Sequence, residues 1–177
     1  MSNRMKIKTP LVSDWVKKYA VLIPLDEPVL DVACGSGCNT RFLLKNGHKV
    51  VALDRDIGRL ADISHNPNLE IYKFDLETGS KFPFQTGKFS GIVVTNYLYR
   101  PLFNSLIKSL GHGGVLIYQT FMTGNEIYGR PNNLKFLLRK NELNDFFREK
   151  LSVIAFEEGY IENPKPAVVQ SICAINN

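Results

Sequence analysis

The sequence predicts an α/β chain built on a doubly wound, mostly parallel sheet of seven strands. Three observations carry that prediction. β-type apolar runs alternate with helix-like segments over residues 29–121. The run at 89–95 is apolar nearly throughout, as expected of a strand covered on both faces. Two last strand-like runs follow one another without a helix between them, which predicts an antiparallel C-terminal pair.

The elements follow in order. Ser13-Asp14 ahead of Trp15, Val16, Tyr19 and Ala20 predicts a capped short helix, closed by Pro24. Residues 29–33 form the first predicted strand. A helix is expected over 39–46, stopped by Asn46-Gly47. The second strand is expected at 49–53, a helix at 57–64, and the third strand at 69–74. Turn-forming residues fill 77–88. After the fourth strand a helix is expected over 101–110, with Pro101 in its first turn. The stretch 111–114 reads as a break before a fifth strand at 115–121. A loop at 122–133, a helix at 141–150 and strands at 151–157 and 168–175 complete the series. One domain spans 1–177: an N-terminal helical segment (1–24), a ligand-binding core (25–121), and a lid loop, helix and strand pair (122–177).

Composition narrows the function classes. The 177 residues are 44% hydrophobic and 22% charged, with a formal charge of +5, which are ordinary values for a soluble protein. The basic residues are scattered, apart from Arg4, Lys6, Lys8, Lys17 and Lys18, which read as a solvated end of the chain. Cys34, Cys38 and Cys173 fit neither a disulfide framework nor a metal-ligand spacing, so no metal is expected. Neither a signal peptide nor a membrane span is predicted, and a reducing, cytoplasmic location is expected.

The chemistry sits at predicted strand ends. In sheets of this kind ligands bind beyond the carboxyl ends of the strands. That rule gathers residues 33–37, Asp54, Asp75, Asn96, Tyr97 and residues 119–121 around one cleft. The turn Ala33-Cys34-Gly35-Ser36-Gly37 follows Val29-Leu30-Asp31-Val32. Gly35 and Gly37 match two positions of a dinucleotide fingerprint, but Thr40 holds the third. A carboxylate at Asp31 would repel a pyrophosphate, whereas it suits the amino group of S-adenosylmethionine, met directly or through water. Asp54 can accept from both ribose hydroxyls. Asp75 can accept from the adenine amine, and the Leu76 backbone N–H can meet a ring nitrogen. The competing local roles are a helix cap for Asp54 and a turn for Asp75. A nicotinamide dinucleotide is the competing cofactor, and a catalytically silent cofactor-binding protein is the competing function.

Together these residues resemble class I S-adenosylmethionine-dependent methyltransferases over nearly the whole chain. The matching motifs lie at 29–37, 50–56, 72–76 and 92–101, followed by Gln119-Thr120-Phe121, Gly124-Asn125-Glu126 and Tyr128-Gly129-Arg130-Pro131. The pattern is similar to a subgroup of small single-domain bacterial enzymes without an established substrate. It is more distantly similar to tellurite-resistance methyltransferases. The resemblance implies a Rossmann-like fold, S-adenosylmethionine as cofactor and S-adenosylhomocysteine as product. It also implies that Gly35 and Gly37 face the methionine part, that Asp54 holds the ribose and Asp75 the adenine, and that Asn96 and Tyr97 flank the sulfonium. The full cofactor-lining set is Asp31, Ala33, Cys34, Gly35, Ser36, Gly37, Asp54, Arg55, Asp75, Leu76, Asn96 and Tyr97.

Two departures bear on the site. Cys38 stands where similar proteins often carry arginine, and Arg41 is the nearby substitute. The fourth motif has Asn96 and a later tyrosine, Tyr99, but lacks the two prolines of amino-methylating nucleic-acid enzymes, so that specificity is not inferred.

On the acceptor side the catalytic candidates are Tyr97, Tyr99 and Arg130, with Arg100, Gln119 and Tyr128 as further contacts. Tyr97 either shields the methyl group with its ring face or packs as a core residue. Arg130 lies on the expected lid loop. Trp15 either covers the cleft or belongs to the core. The three histidines sit in turn-like contexts, and no general base is assigned. The expected acceptor is a small molecule; RNA or protein is the alternative.

Overall fold

A computed structural model describes residues 11–177. Arg4, Lys6 and Lys8 of the N-terminal basic set lie outside the described residues. Helix α1, Asp14–Tyr19, starts where the Ser13 hydroxyl accepts from the Val16 N–H at 3.0 Å. There follow β1 (Val29–Val32), α2 (Cys38–Lys45), β2 (Val50–Asp54) and β3 (Leu69–Lys73). Then come β4 (Phe89–Thr95), α3 (Phe103–Ser109), β5 (Leu110–Phe121), α4 (Glu142–Phe147), β6 (Ser152–Ile161) and β7 (Ala167–Ile175).

All seven strands join one sheet in the order β3-β2-β1-β4-β5-β7-β6. Strands β1 to β5 pair in parallel, while β7 is antiparallel to both β5 and β6. Only β7 is therefore reversed, and β6 runs with the parallel strands. The chain passes from β3 at one edge to β4 beside β1, so the order switches between β1 and β4. Ligand crevices of doubly wound sheets open at that point.

Alternation along the strands sends side chains to two cores. Leu30, Val32, Ile92, Val94, Leu116 and Tyr118 pack with Phe103 and Leu106 of α3 and Leu143 and Phe147 of α4. Val29, Val93, Val115, Ile117 and Cys173 pack on the other face with Trp15 and Val16 of α1 and Leu43 of α2. Trp15 is a core residue: its indole N–H donates to the Ile172 carbonyl at 3.2 Å.

Three expectations are corrected. The segment predicted as a helix at 57–64 is a 3-10 helix, Gly58–Ile63, whose Leu60 is buried beneath α2's entry turn. The helix expected from Pro101 opens instead with a 3-10 turn, Arg100–Leu102. The expected break at 111–114 lies inside β5. Phe89 pairs with Leu110 and Gly91 with Val115, so the extra β5 residues bulge out. Asn176 fills that bulge, donating from its amide to the Leu110 carbonyl at 2.8 Å and to that of Gly111 at 3.1 Å. No helix separates β3 from β4. There Phe82 and Phe84 cover the sheet, with Phe84 against Tyr72 at 5.2 Å and against Phe89 at 5.0 Å between ring centroids.

Candidate active site

The site grows from the turn after β1. Ala33, Gly35 and Gly37 take φ of 51°, 53° and 75°, and Asn96 after β4 takes 56°. Left-handed backbone at Ala33 and Asn96 is strained, and such strain collects at functional sites. The two glycines do different work. At Gly35 a Cβ would meet nothing within 4 Å, so the residue leaves open space. At Gly37 a Cβ would come within 2.3 Å of Leu60 Cδ2. Gly37 therefore lets the turn close on the 3-10 helix and packs inward. That departs from the expectation that it faces a ligand.

The acids at the first two strand ends have separate fates. Asp54 Oδ2 accepts from the Gly35 N–H at 2.8 Å and Oδ1 from the Asp56 N–H at 2.9 Å. Each oxygen keeps a second lone pair, and the half-buried carboxylate lines a cavity of about 330 Å3 with Ala33, Arg55, Asp75, Leu76 and Tyr97. Asp54 does not cap the following 3-10 helix. Asp31, in contrast, is fully buried beneath α2. It accepts from the Thr40 hydroxyl at 2.6 Å and lies 3.5 Å from the Asn39 amide nitrogen. Burial raises its carboxyl to about 6, against the lowering effect of those donors. Of the two expected contacts with an amino group, direct or through water, the direct one is closed to a carboxylate sealed in this way. Asp31 orients Asn39, which also donates to Thr95 Oγ1 at 2.8 Å and lines the cleft.

Asp75 is exposed and its Oδ1 accepts from the Glu77 N–H at 3.0 Å, a turn contact that leaves the second oxygen toward the same cavity. Tyr97 is half-buried above it. Desolvation, then the charges of Glu77 and Asp75, push its phenol up, so at neutral pH it donates a proton in hydrogen bonds and does not abstract one.

A second cavity of about 250 Å3 meets the first at Ala33. Cys34, Gly35, Ser36, Asn39 and Asn96 line its near side, and Gln119, Phe121 and Val169 its far side. Burial pushes the Cys34 thiol up, which makes it inert as a nucleophile. Gln119 is 7% exposed and donates to Ser171 Oγ at 2.7 Å.

Several expected contacts lie elsewhere. Arg41 binds Asp62 with two nitrogens, at 2.9 and 2.8 Å, on the outer side of α2, so it is no substitute at Cys38. Arg100 is a clamp, pairing with Glu142 at 2.5 and 3.0 Å and donating to the Lys135 and Leu137 carbonyls. Tyr99 packs against the α3–α4 core and lines neither cavity. Arg130 is exposed on its loop and also lines neither. Tyr128 pairs with Tyr160 at 5.3 Å. His48 is buried at the opposite end of β2, while His65 is exposed in a turn and His112 is exposed in the bulged part of β5, both away from the cleft. Missed by sequence reasoning were Asn39, Thr95 and Val169. Asn39 was the legible one, being a polar residue in the first turn of α2.

Residues 29–114 match the family model described as a methyltransferase domain. These residues carry that domain's pattern, and the chain has the fold of the solved structures described next. No curated protein matches its sequence. Among solved structures it is similar to TehB from Haemophilus influenzae, at 21% identity and a TM-score of 0.73, over 97% of this chain and 65% of TehB. The chain thus spans just under two thirds of TehB's length. It is also similar to an S-adenosylmethionine-dependent methyltransferase from Mesorhizobium loti, at 15% identity and a TM-score of 0.68, over 90% of this chain and 96% of that one. A third is geranyl diphosphate C-methyltransferase from Streptomyces coelicolor A3(2), solved with Mg2+, geranyl diphosphate and S-adenosylhomocysteine. It is 13% identical with a TM-score of 0.69, over 92% of this chain and 76% of that one. No group of three or more His, Cys, Asp or Glu is arranged to hold a metal among the described residues. Nor is any helix among them long and apolar enough to cross a membrane.

Proposed function

We propose that this methyltransferase binds S-adenosylmethionine across the two cavities and passes its methyl group to a small-molecule acceptor. The observation that carries the reading is the meeting of the cavities at Ala33, at the sheet's switch point. One cavity offers Asp54 and Asp75, and the other offers Asn39, Asn96 and Gln119. Asp54 has lone pairs left for the ribose hydroxyls, Asp75 takes the adenine amine, and Leu76 offers its backbone to the ring. Ala33, Cys34, Gly35 and Ser36 follow the methionine chain, with space kept clear at Gly35. Asn39, oriented by Asp31 and Thr95, meets its polar end.

When bound, the cofactor supplies an activated methyl group that an acceptor atom takes by in-line displacement. The chain contributes alignment and a dry site, and alignment alone is worth about 7–11 kcal/mol where geometry is near attack. Asn96 and Tyr97 flank the transfer path, and Tyr97 stays protonated there. No imidazole reaches the cleft, so a proton lost by the acceptor leaves through solvent or another carboxylate.

The test is binding followed by transfer. S-Adenosylhomocysteine should raise the unfolding temperature while NAD(P) does not. Methyl-labelled cofactor, incubated with a cell extract, should then label the small-molecule fraction. Stabilisation by NAD(P) alone would overturn the cofactor. Label confined to RNA or protein, with activity falling steeply with salt for RNA, would overturn the acceptor class.

A further inference from the structure

A third cavity, of about 350 Å3, opens between α1 and the ends of β6 and β7. It shares Gln119, Ile161 and Val169 with the cavity on the methionine side, so the two adjoin at these residues. On the reading above, it leads from solvent to the place where the acceptor stands. We propose that this is the acceptor's entrance and that it selects a small molecule bearing an ammonium or guanidinium group.

The charges at its rim are unequal. Glu157 and Glu162 line the cavity, are exposed, and enter no ion pair among the described residues. Asp14 is already paired with Lys17 at 2.8 Å. Glu158 turns its carboxylate to the opposite face, where Oε2 accepts from Asn141 N at 2.8 Å and Gln170 Nε2 at 3.1 Å. The opposing cation is Lys18, whose ammonium lies 5.8 Å from the Trp15 ring centroid and 5.1 Å from that of Tyr19. The rim thus already holds a cation against aromatic rings, on a flexible side chain that can withdraw.

The second, independent feature is Gln119. It is more than nine-tenths buried, and Ser171 holds its amide nitrogen at 2.7 Å. Its Oε1 takes no hydrogen bond from the described residues, and the side chain borders both spaces. An acceptor with no protein donor on a cavity wall can take one from a ligand. The bound molecule would place its cationic end against Glu157 and Glu162 and an N–H or O–H against Gln119.

Three probes of one shape test this. Tyramine is cationic at neutral pH, 4-ethylphenol is uncharged, and 3-(4-hydroxyphenyl)propionate is anionic. Each is titrated calorimetrically into the protein, with and without saturating S-adenosylhomocysteine, at low ionic strength. Tyramine should bind roughly tenfold tighter than 4-ethylphenol, and the propionate weakest. The double variant Glu157→Gln/Glu162→Gln should erase the tyramine preference while leaving affinity for 4-ethylphenol and S-adenosylhomocysteine unchanged. Equal binding of all three probes, preference for the anion, or no binding of any would overturn the proposal. If S-adenosylhomocysteine failed to bind while tyramine was still selected, the cation site would stand and the cofactor reading would fall.

Discussion

The cavity beside β2 and β3 and the cavity beside β5 and β7 differ in how their walls are made. The first is walled by residues at or just past strand ends: Ala33 after β1, Asp54 closing β2 with Arg55 next to it, and Asp75 and Leu76 shortly after β3. Its groups are held by backbone amides within a few residues or across one strand pair. The second draws Asn39 from α2, Gln119 from β5 and Val169 from β7, and Gln119 is held by Ser171, 52 residues away. The first cavity is a local construction repeated at successive strands. The second is an assembly that exists only when the reversed strand β7 is in place.

Predictions can break or sharpen that contrast. The largest effect is expected within the shared turn. Gly37→Ala combines a left-handed backbone with a methyl pressed on Leu60, and should cost about 3 kcal/mol in chemical denaturation. Gly35→Ala has open space, should cost about 1 kcal/mol, and should instead weaken S-adenosylhomocysteine binding. Equal losses of stability would erase the distinction between the inward and the ligand-facing glycine.

Asp31 and Asp54 give the next test. The folded carboxyl of Asp31 lies at about 6, above its unfolded value, so the native state holds the extra proton between roughly pH 4 and pH 6. Stability is therefore lost as pH rises through that window, and the loss is complete above it. A shift of this size corresponds to about 3 kcal/mol. Asp31→Asn should remove that slope, so the stability difference between variant and wild type should swing by about 3 kcal/mol between pH 4 and pH 7, in favour of the variant at the higher pH. Parallel stability curves would mean that Asp31 is not the buried acid described here.

Asp54→Asn should leave most of the stability and weaken S-adenosylhomocysteine by about 1.5–3 kcal/mol, roughly ten- to a hundredfold by calorimetry. Unchanged affinity would remove Asp54 from the site. The smallest effect is expected at Arg100, whose pairing with Glu142 is partly open to solvent. Arg100→Gln should cost about 1 kcal/mol of stability and leave cofactor affinity intact. A loss of affinity there would join the clamp to the site and blur the contrast.

How far the molecule was legible follows from the same contrast. Val29 to Val32, Val50 to Leu53 and Phe89 to Thr95 were readable because buried parallel strands must be continuously apolar. Asp54 was readable because it stands where such a run ends, and Asp75 because it follows the alternating edge strand β3. The 3-10 form of residues 58–63 was not, since Leu60 fills the space above Gly37 and that packing overrides local helical preference. Arg41 and Arg100 looked available because sequence lists a guanidinium but not its partner. Asp62, Glu142 and two carbonyls consume them.

Local chemistry alone settled the order of strands and helices, the glycine-containing turn and the acids at the strand ends, because hydrophobic periodicity and backbone freedom act over a few residues. Tertiary structure decided which of those acids is sealed and which is open, because burial depends on the helix that lands on the strand. It also decided that Gln119 would carry an unspent acceptor beside Glu157 and Glu162, because only the pairing of β5, β7 and β6 brings those segments to one rim.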